Sequence, residues 1–187
     1  VRPGGAPYLR SGSFQIEDLS FPAAYTSFLQ IALAASDFGT LLTSGHVRGD
    51  ALLAADALTR LDATIEGVDI REQKNKFGMQ DLRGELHWSP QGAAAPPASW
   101  LGWKSGNAYG LSGGATRLDF VVQGLDFELT KPARVPVFDG ALRIGKLAAQ
   151  KLGTPDLAMQ FSGDIEPISM PLLSKAFGWP ELAGQLE

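Results

Sequence analysis

The chain has 187 residues with 16 basic and 20 acidic side chains, and its formal charge of −4 offers no basic surface for nucleic acid. It contains no cysteine, which excludes disulfides, thiolate metal sites and cysteine nucleophiles. Its 44% hydrophobic and 19% charged residues are typical of a folded domain. A membrane-spanning helix is not predicted, because the sequence has no run of about 18 apolar residues.

The N-terminal part of the chain predicts a lead-in followed by a helix. Residues 1–12 are rich in proline and glycine, so we expect them to be poorly ordered. Ser20 is typical of a helix N-cap and Pro22 of a first helical turn. Apolar residues then recur at helical spacing, which predicts an amphipathic helix over roughly residues 21–35. Residues 40–56, with two glycines and short apolar stretches, favour a hairpin over a helix, while residues 51–58 fit either structure.

An internal repeat is the most informative feature of the sequence. Residues 59–70 read Thr-Arg-Leu-Asp-Ala-Thr-Ile-Glu-Gly-Val-Asp-Ile, and residues 116–127 read Thr-Arg-Leu-Asp-Phe-Val-Val-Gln-Gly-Leu-Asp-Phe. The two segments are identical at six of twelve positions without a gap. Similarity at a fixed offset indicates an array of equivalent structural units, which usually forms an extended surface.

Both copies of the repeat have the alternation of a strand with one apolar face. The alternation slips by one position after Gly67 and again after Gly124, which predicts a β-bulge at each glycine. A weaker third copy over residues 157–163 keeps its alternation, so no bulge is expected there. Further strands are expected around Gly84 and Gly140.

The C-terminal part predicts a short helix. Ser169 can cap it, Pro171 fits its first turn, and Gly178 can end it. The predicted fold is therefore mainly β: a repetitive, strongly curved antiparallel sheet, an open groove or partly closed, with two short helices, one near each end. We expect residues 13–187 to form one repetitive β domain, a fragment of a longer protein.

A search for catalytic chemistry returns no candidate. His46 and His87 lie in strand-like segments with no partner cluster nearby, so we expect them to face solvent. The aspartates of the repeat alternate with apolar residues, so we expect them on the solvated face rather than in acid–base catalysis. We expect no catalytic residue, no metal ion and no cofactor.

An aromatic group beside a Pro/Gly-rich loop allows a second interpretation. Trp88, Trp100, Trp103 and Tyr109 could form a platform that stacks on a ligand, or they could anchor the loop by packing. The first arrangement would make the chain a carbohydrate-binding or adhesion module.

The apolar face of the predicted sheet carries the main functional signal. A long sheet with the same face apolar in strand after strand must curl over that face, cover it with helices or hold an apolar ligand. A closed core, and with it a purely structural spacer, is the alternative. The candidate groove residues are Leu61, Ile65, Phe120, Val122, Leu142, Ile144, Met159 and Phe161.

The recurring apolar-x-Gly-x-apolar strands resemble the AsmA-like superfamily of bacterial envelope proteins, the group of TamB, YhdP and YdbH. So do residues 136–144 and residues 162–186, which include the helix ending Gly178-Trp-Pro180. The sequence is most similar to the C-terminal part of YdbH-type members, over roughly residues 40–187.

This resemblance implies a module of a periplasmic β-groove in a protein anchored in the inner membrane of Gram-negative bacteria. Such a groove carries phospholipids toward the outer membrane without catalysis. The implied partners are phospholipid acyl chains, the membrane through parts of the parent protein outside this chain, and an envelope protein. Nucleic acid is not among them.

Overall fold

The computed structural model describes residues 10–23, 25–30, 39–180 and 182–186, and these form a mainly β fold. Its centre is a large curved antiparallel sheet that is not closed into a barrel. The strands of the sheet are β1 (Ser11–Phe21), β2 (Leu41–Ala54), β3 (Ala57–Glu72), β4 (Phe77–Ser89), β5 (Ser99–Trp103), β6 (Ser105–Ala108), β7 (Leu111–Gly113), β8 (Thr116–Gln123), β9 (Asp126–Leu129), β10 (Ala133–Val137), β11 (Gly140–Gln150) and β12 (Ala158–Glu166). A second, two-stranded sheet pairs β13 (Ile168–Ser169) with β14 (Gln185–Leu186).

We call each strand position of the large sheet a row, whether one strand or two consecutive strands occupy it. The sheet is a meander in which each row pairs antiparallel with the next row along the chain. Three rows are interrupted strands: β5 with β6, β7 with β8, and β9 with β10. The rows therefore run from β1 at one edge to β12 at the other. A sheet of this length must twist and curl because of the handedness of its strands.

The N-terminal segment differs from its sequence-based prediction. Ser20 is not a helix cap but part of strand β1, where it pairs with His46. The described helix is a short π-helix, Tyr25–Leu29, and the end of the predicted helix lies outside the described residues. The buried Tyr25 holds this turn to the sheet, because its hydroxyl accepts a hydrogen bond from the Leu41 N–H at 3.2 Å.

Two other N-terminal predictions also change. Residues 1–9 of the predicted lead-in lie outside the described residues, while residues 11 and 12 belong to β1. Residues 41–54 are one continuous strand, and the hairpin turn follows at Ala55 and Asp56, which both have positive φ (49° and 64°). Two central residues with positive φ match the twist of the flanking strands, as in the favoured two-residue hairpin turns.

The two copies of the sequence repeat form different structures. Gly67 lies inside the continuous strand β3, where the register with β4 shifts between Ile65 and Val68, so the predicted bulge is confirmed. Gly124 instead occupies a two-residue hairpin turn, because Gln123 of β8 pairs directly with Asp126 of β9. The bulge predicted at Gly124 is therefore wrong. Both glycines have nearly the same backbone angle, with φ of 60° and 59°, so the shared sequence specifies a local conformation and not its use in the sheet.

The third, weaker copy of the repeat confirms its prediction. Strand β12 has no extra residue and keeps its alternation, and the register shift of this pair comes from one extra residue on β11, between Ile144 and Lys146.

The C-terminal helix is confirmed as α1 (Met170–Phe177). Ser169 occupies the N-cap position but makes no side-chain capping hydrogen bond. Gly178 ends the helix in the left-handed conformation, with φ of 66°.

The hydrophobic core lies on one face of the sheet in its C-terminal half. Four buried residues form its centre: Phe120, Leu129, Ala133 and Ile144. Partly buried side chains from rows β4 to β11 pack against them, because the curl of the sheet brings these rows together. The rings of Phe120 and Phe127 lie 5.2 Å apart in a tilted arrangement.

Candidate functional site

The candidate site is one face of the large sheet, which we call the apolar face. Residues directly opposite one another on neighbouring strands point to the same side of a sheet. The observed register therefore places a continuous series of apolar residues, one after another across the strands, on a single side of the sheet from β2 to β12: Ala51, Leu61, Trp88, Val122, Phe127, Ala149 and Met159.

All eight groove residues chosen from the sequence lie on this face. Leu61 and Ile65 share the side of β3 that also carries Ala63, whose partner is Leu86. In the C-terminal half, Phe120 and Val122 lie on the same side of β8, and Val122 pairs with Phe127 of β9. Phe127 in turn pairs with Ala149 of β11. The pairs that connect the remaining candidates are Leu142 with Ile165, Ile144 with Gly163, Phe161 with Leu147, and Met159 with Ala149.

The eight residues differ in how open they are. Phe120 and Ile144 are closed into the core, each 8% exposed, and Val122 and Leu142 pack against it. Met159 and Phe161 on β12 are open, with 64% and 59% exposure. The apolar face thus passes from a closed region at β8 to an open region at the β12 edge.

The other end of the apolar face is also open. Phe14 on β1 is 56% exposed and pairs with Ala51. The π-helix follows β1 in the chain.

The opposite face is polar, and its charged side chains form ion pairs within and between strands. His87 on β4 places its Nδ1 atom 2.6 Å from Oδ1 of Asp62 on β3, and Arg60 also contacts this carboxylate. Burial would raise the pKa of Asp62, but the hydrogen bonds from His87 and Arg60 outweigh it and hold the pKa below its usual value. His87 was expected to face solvent, but its side chain is only 22% exposed and is paired with Asp62, which lies 25 residues away in the sequence.

The remaining sequence expectations for the polar residues hold only in part. His46 is exposed, but its Nδ1 atom lies 2.8 Å from Oδ1 of Asp18. Asp119 lies on the polar face, yet it is only 20% exposed. The hydrogen bond from Arg117 lowers the pKa of this carboxyl and prevails over the opposing effect of burial. The pair of His46 with Asp18 joins β2 to β1, whereas Arg117 and Asp119 both belong to β8.

Glu166 at the end of β12 is the centre of the strongest ion-pair group. Arg134 on β10 and Arg143 on β11 both donate hydrogen bonds to its carboxylate. These hydrogen bonds lower the pKa of Glu166 to about 2. The group joins three neighbouring rows on the polar face, so β12 is tied to the sheet by side chains as well as by its backbone.

The tryptophans do not form a common platform. Trp100 lies on the polar face, where its ring stacks under the guanidinium of Arg117 at 4.2 Å. Trp103 is three residues further along the same strand and points to the opposite side. Trp88 is partly buried, and its indole N–H donates a hydrogen bond to the Gly124 carbonyl at 2.8 Å. A stacking surface that uses Trp100 and Trp103 together is therefore absent from this strand.

An exposed aromatic pair next to α1 was not predicted from the sequence. The rings of Phe177 and Trp179 stack with centroids 4.9 Å apart, and both side chains are exposed. Phe177 is the last residue of the helix, and Trp179 follows the glycine that ends it. The two are therefore not neighbours in a helical pattern, so periodicity alone could not find this pair.

Two absences apply to the part of the chain that the structure describes. No group of three or more histidine, aspartate or glutamate side chains there has an arrangement that could hold a metal ion. None of the described helices is long and apolar enough to cross a bilayer.

Comparisons with known proteins add no relative. No family model matches the chain. The search of curated proteins finds no match, and the search of solved structures finds none either.

Proposed function

We propose that this chain is a non-enzymatic module of a lipid conduit, in which acyl chains lie against the apolar face of the curved sheet. The module would belong to the periplasm of a Gram-negative cell, as part of a protein anchored in the inner membrane. The resemblance to the AsmA-like superfamily motivates the location, and the geometry of the sheet motivates the ligand.

The observation that carries the proposal is the continuity of the apolar face. Cross-strand partners keep it apolar from β2 to β12, while ion pairs occupy the other side. An acyl chain has no polar group to satisfy, so a surface of aliphatic and aromatic side chains can hold it without specific hydrogen bonds. The polar face of such a sheet stays solvated while the apolar face binds the acyl chain.

The open part of the face is where a lipid would contact the chain first. Met159 and Phe161 present more than half of their surface to solvent, although large apolar side chains normally gain from burial. Burying one such side chain against a ligand contributes about 1.5–3 kcal/mol. The two side chains lie on the same face, two positions apart on one strand.

The closed region supports a second candidate, a structural spacer. The core around Phe120 is filled by its own side chains, and a face closed in this way over its whole length would need no ligand. The exposure of the apolar residues on β12 favours the conduit over the spacer.

The test is the lipid content of the purified chain. We expect phospholipid to co-purify from a Gram-negative host, as measured by mass spectrometry of an organic extract. Phe161→Glu should reduce the lipid-to-protein ratio several-fold, since it places a charge on the apolar face. Gln160→Glu is the matched control, because it adds the same carboxylate to the other face of the same strand, and it should leave the ratio unchanged. Absence of lipid from the wild-type chain, or equal loss in both variants, would contradict the proposal.

A further inference from the structure

Strand β12 is an edge of the sheet that is less protected than the opposite edge. Among the described residues it pairs only with β11, and eight of its nine residues are exposed. Its outer side therefore carries backbone N–H and C=O groups without a strand partner. Natural sheets usually protect such an edge with charged side chains, especially lysine, with proline or with a bulge. Strand β12 contains no lysine, proline or bulge, and its two charged residues are Asp164 and Glu166. The carboxylate of Glu166 is already paired with Arg134 and Arg143.

The opposite edge is protected. Strand β1 has a register shift between Ile16 and Leu19, and the residues in this irregular stretch are Glu17 and Asp18. A bulge with adjacent charges is a common way to prevent strands from adding to an edge. The two edges differ in kind, so a chain that adds at β12 would not add equally at β1.

The sequence of β12 is complementary to itself. When two copies run antiparallel with Ser162 facing Ser162, apolar residues face apolar residues or glycine, and no carboxylate faces another carboxylate. The two Phe161 rings become diagonal neighbours across the pair, within reach of aromatic side chains. The facing pairs are Met159 with Ile165, Phe161 with Gly163, Gln160 with Asp164, and Ala158 with Glu166.

From these observations we propose that two copies of the chain associate through antiparallel pairing of their β12 strands, centred on Ser162. This contact is isologous, so it forms a closed twofold dimer and not a growing series. All nine residues of β12 take part, and both apolar faces lie on the same side of one continuous sheet. The dimer does not depend on lipid binding, and its interface is smaller than the roughly 20–30 residues a side of a standard one. It is accordingly a weak dimer, formed at high protein concentration.

The absence of cysteine makes a direct test simple. Ser162→Cys introduces the only thiol of the chain, and residues directly opposite in an antiparallel pair have Cα atoms about 4.5–5.5 Å apart. This separation fits a disulfide. Mild oxidation should therefore convert Ser162→Cys into a covalent dimer. The matched control is Ser13→Cys, an exposed serine on strand β1, which should remain largely monomeric. Equal crosslinking of the two variants, or little crosslinking of Ser162→Cys, would overturn the proposal.

The unmodified chain gives an independent test. Sedimentation equilibrium should show a mass that rises with concentration from 19.9 kDa toward twice this value. Phe161→Lys should shift the equilibrium to monomer, because lysine on an edge opposes strand addition. Leu42→Lys, at an exposed apolar residue inside the sheet, should not. A mass that stays at that of the monomer, or continues beyond the dimer, would refute the proposed contact, whatever the lipid content.

Discussion

Replacing Phe120 with alanine distinguishes the closed part of the apolar face from the open part. Phe120 is 8% exposed, its ring lies 5.2 Å from the tilted ring of Phe127, and it belongs to the buried centre of the core. Removing a buried phenylalanine ring costs about 3–5 kcal/mol, from lost transfer free energy and from the cavity that remains. For a chain of this size, that loss lowers the melting temperature by roughly 6–20 °C.

Phe161→Ala is the matched comparison, since it makes the same substitution on the same face. Phe161 is 59% exposed, and truncation of exposed side chains changes stability by about 0.5 kcal/mol or less. Thermal and urea unfolding followed by circular dichroism would measure both variants. Similar losses for the two would refute the division of the face into closed and open parts. A loss below about 1 kcal/mol for Phe120→Ala would show that the core around it is not closed.

Three further predictions concern single contacts. Glu166→Gln should lower the melting temperature at pH 7. Because the pKa of Glu166 is lowered from 4.5 to about 2, the difference in melting temperature from wild type should disappear as the pH falls through this range. A difference that stays the same in melts from pH 7 to pH 2 would contradict this prediction. Gly67→Ala should lower the free energy of unfolding by roughly 1–2 kcal/mol through its positive φ alone, because the new Cβ has only the Asp81 carboxylate near it, at 3.6 Å. Gly124→Ala should lower it more in urea unfolding, because its Cβ would lie 3.0–3.2 Å from three atoms of one loop residue. Trp88→Phe should cost about 1 kcal/mol in the same assay, since it removes the indole hydrogen bond at 2.8 Å, and an unchanged stability would show that this bond contributes nothing.

The strands and their faces could be predicted because period-two alternation is a local signal. Leu61 and Ile65 alternate with polar residues, and they lie on the expected side of β3. The glycine conformations were also predictable, since an apolar pattern that slips at glycine indicates an unusual backbone there. After such a glycine, the chain either continues along the same neighbouring strand or turns back on itself. This choice separates Gly67 from Gly124, and it is decided by tertiary pairing.

The ion pairs could not be predicted for a related reason. His87 and Asp62 meet only because β3 and β4 pair in one particular register. A register shift of one residue would place them on different faces. Ser20 failed as a helix cap for the same reason: a serine close before a proline fits a cap locally, but the partner strand β2 extends β1 through it.

The exposure of β12 could not be predicted from the sequence either. Met159 and Phe161 have the same alternation as Phe120 and Val122, so the pattern assigned all four to one face without showing which are covered. Burial depends on how many rows curl over a position, and β12 is the last row.

Photocrosslinking tests the central claim, that acyl chains lie on the apolar face, most directly. A benzophenone side chain placed at Phe161 or at Gln160 samples opposite faces of the same exposed strand. In membranes that supply labelled phospholipid, the probe at Phe161 should form a lipid adduct, and the probe at Gln160 should form little or none. Equal labelling at the two positions, or no adduct at Phe161, would contradict a lipid-binding apolar face.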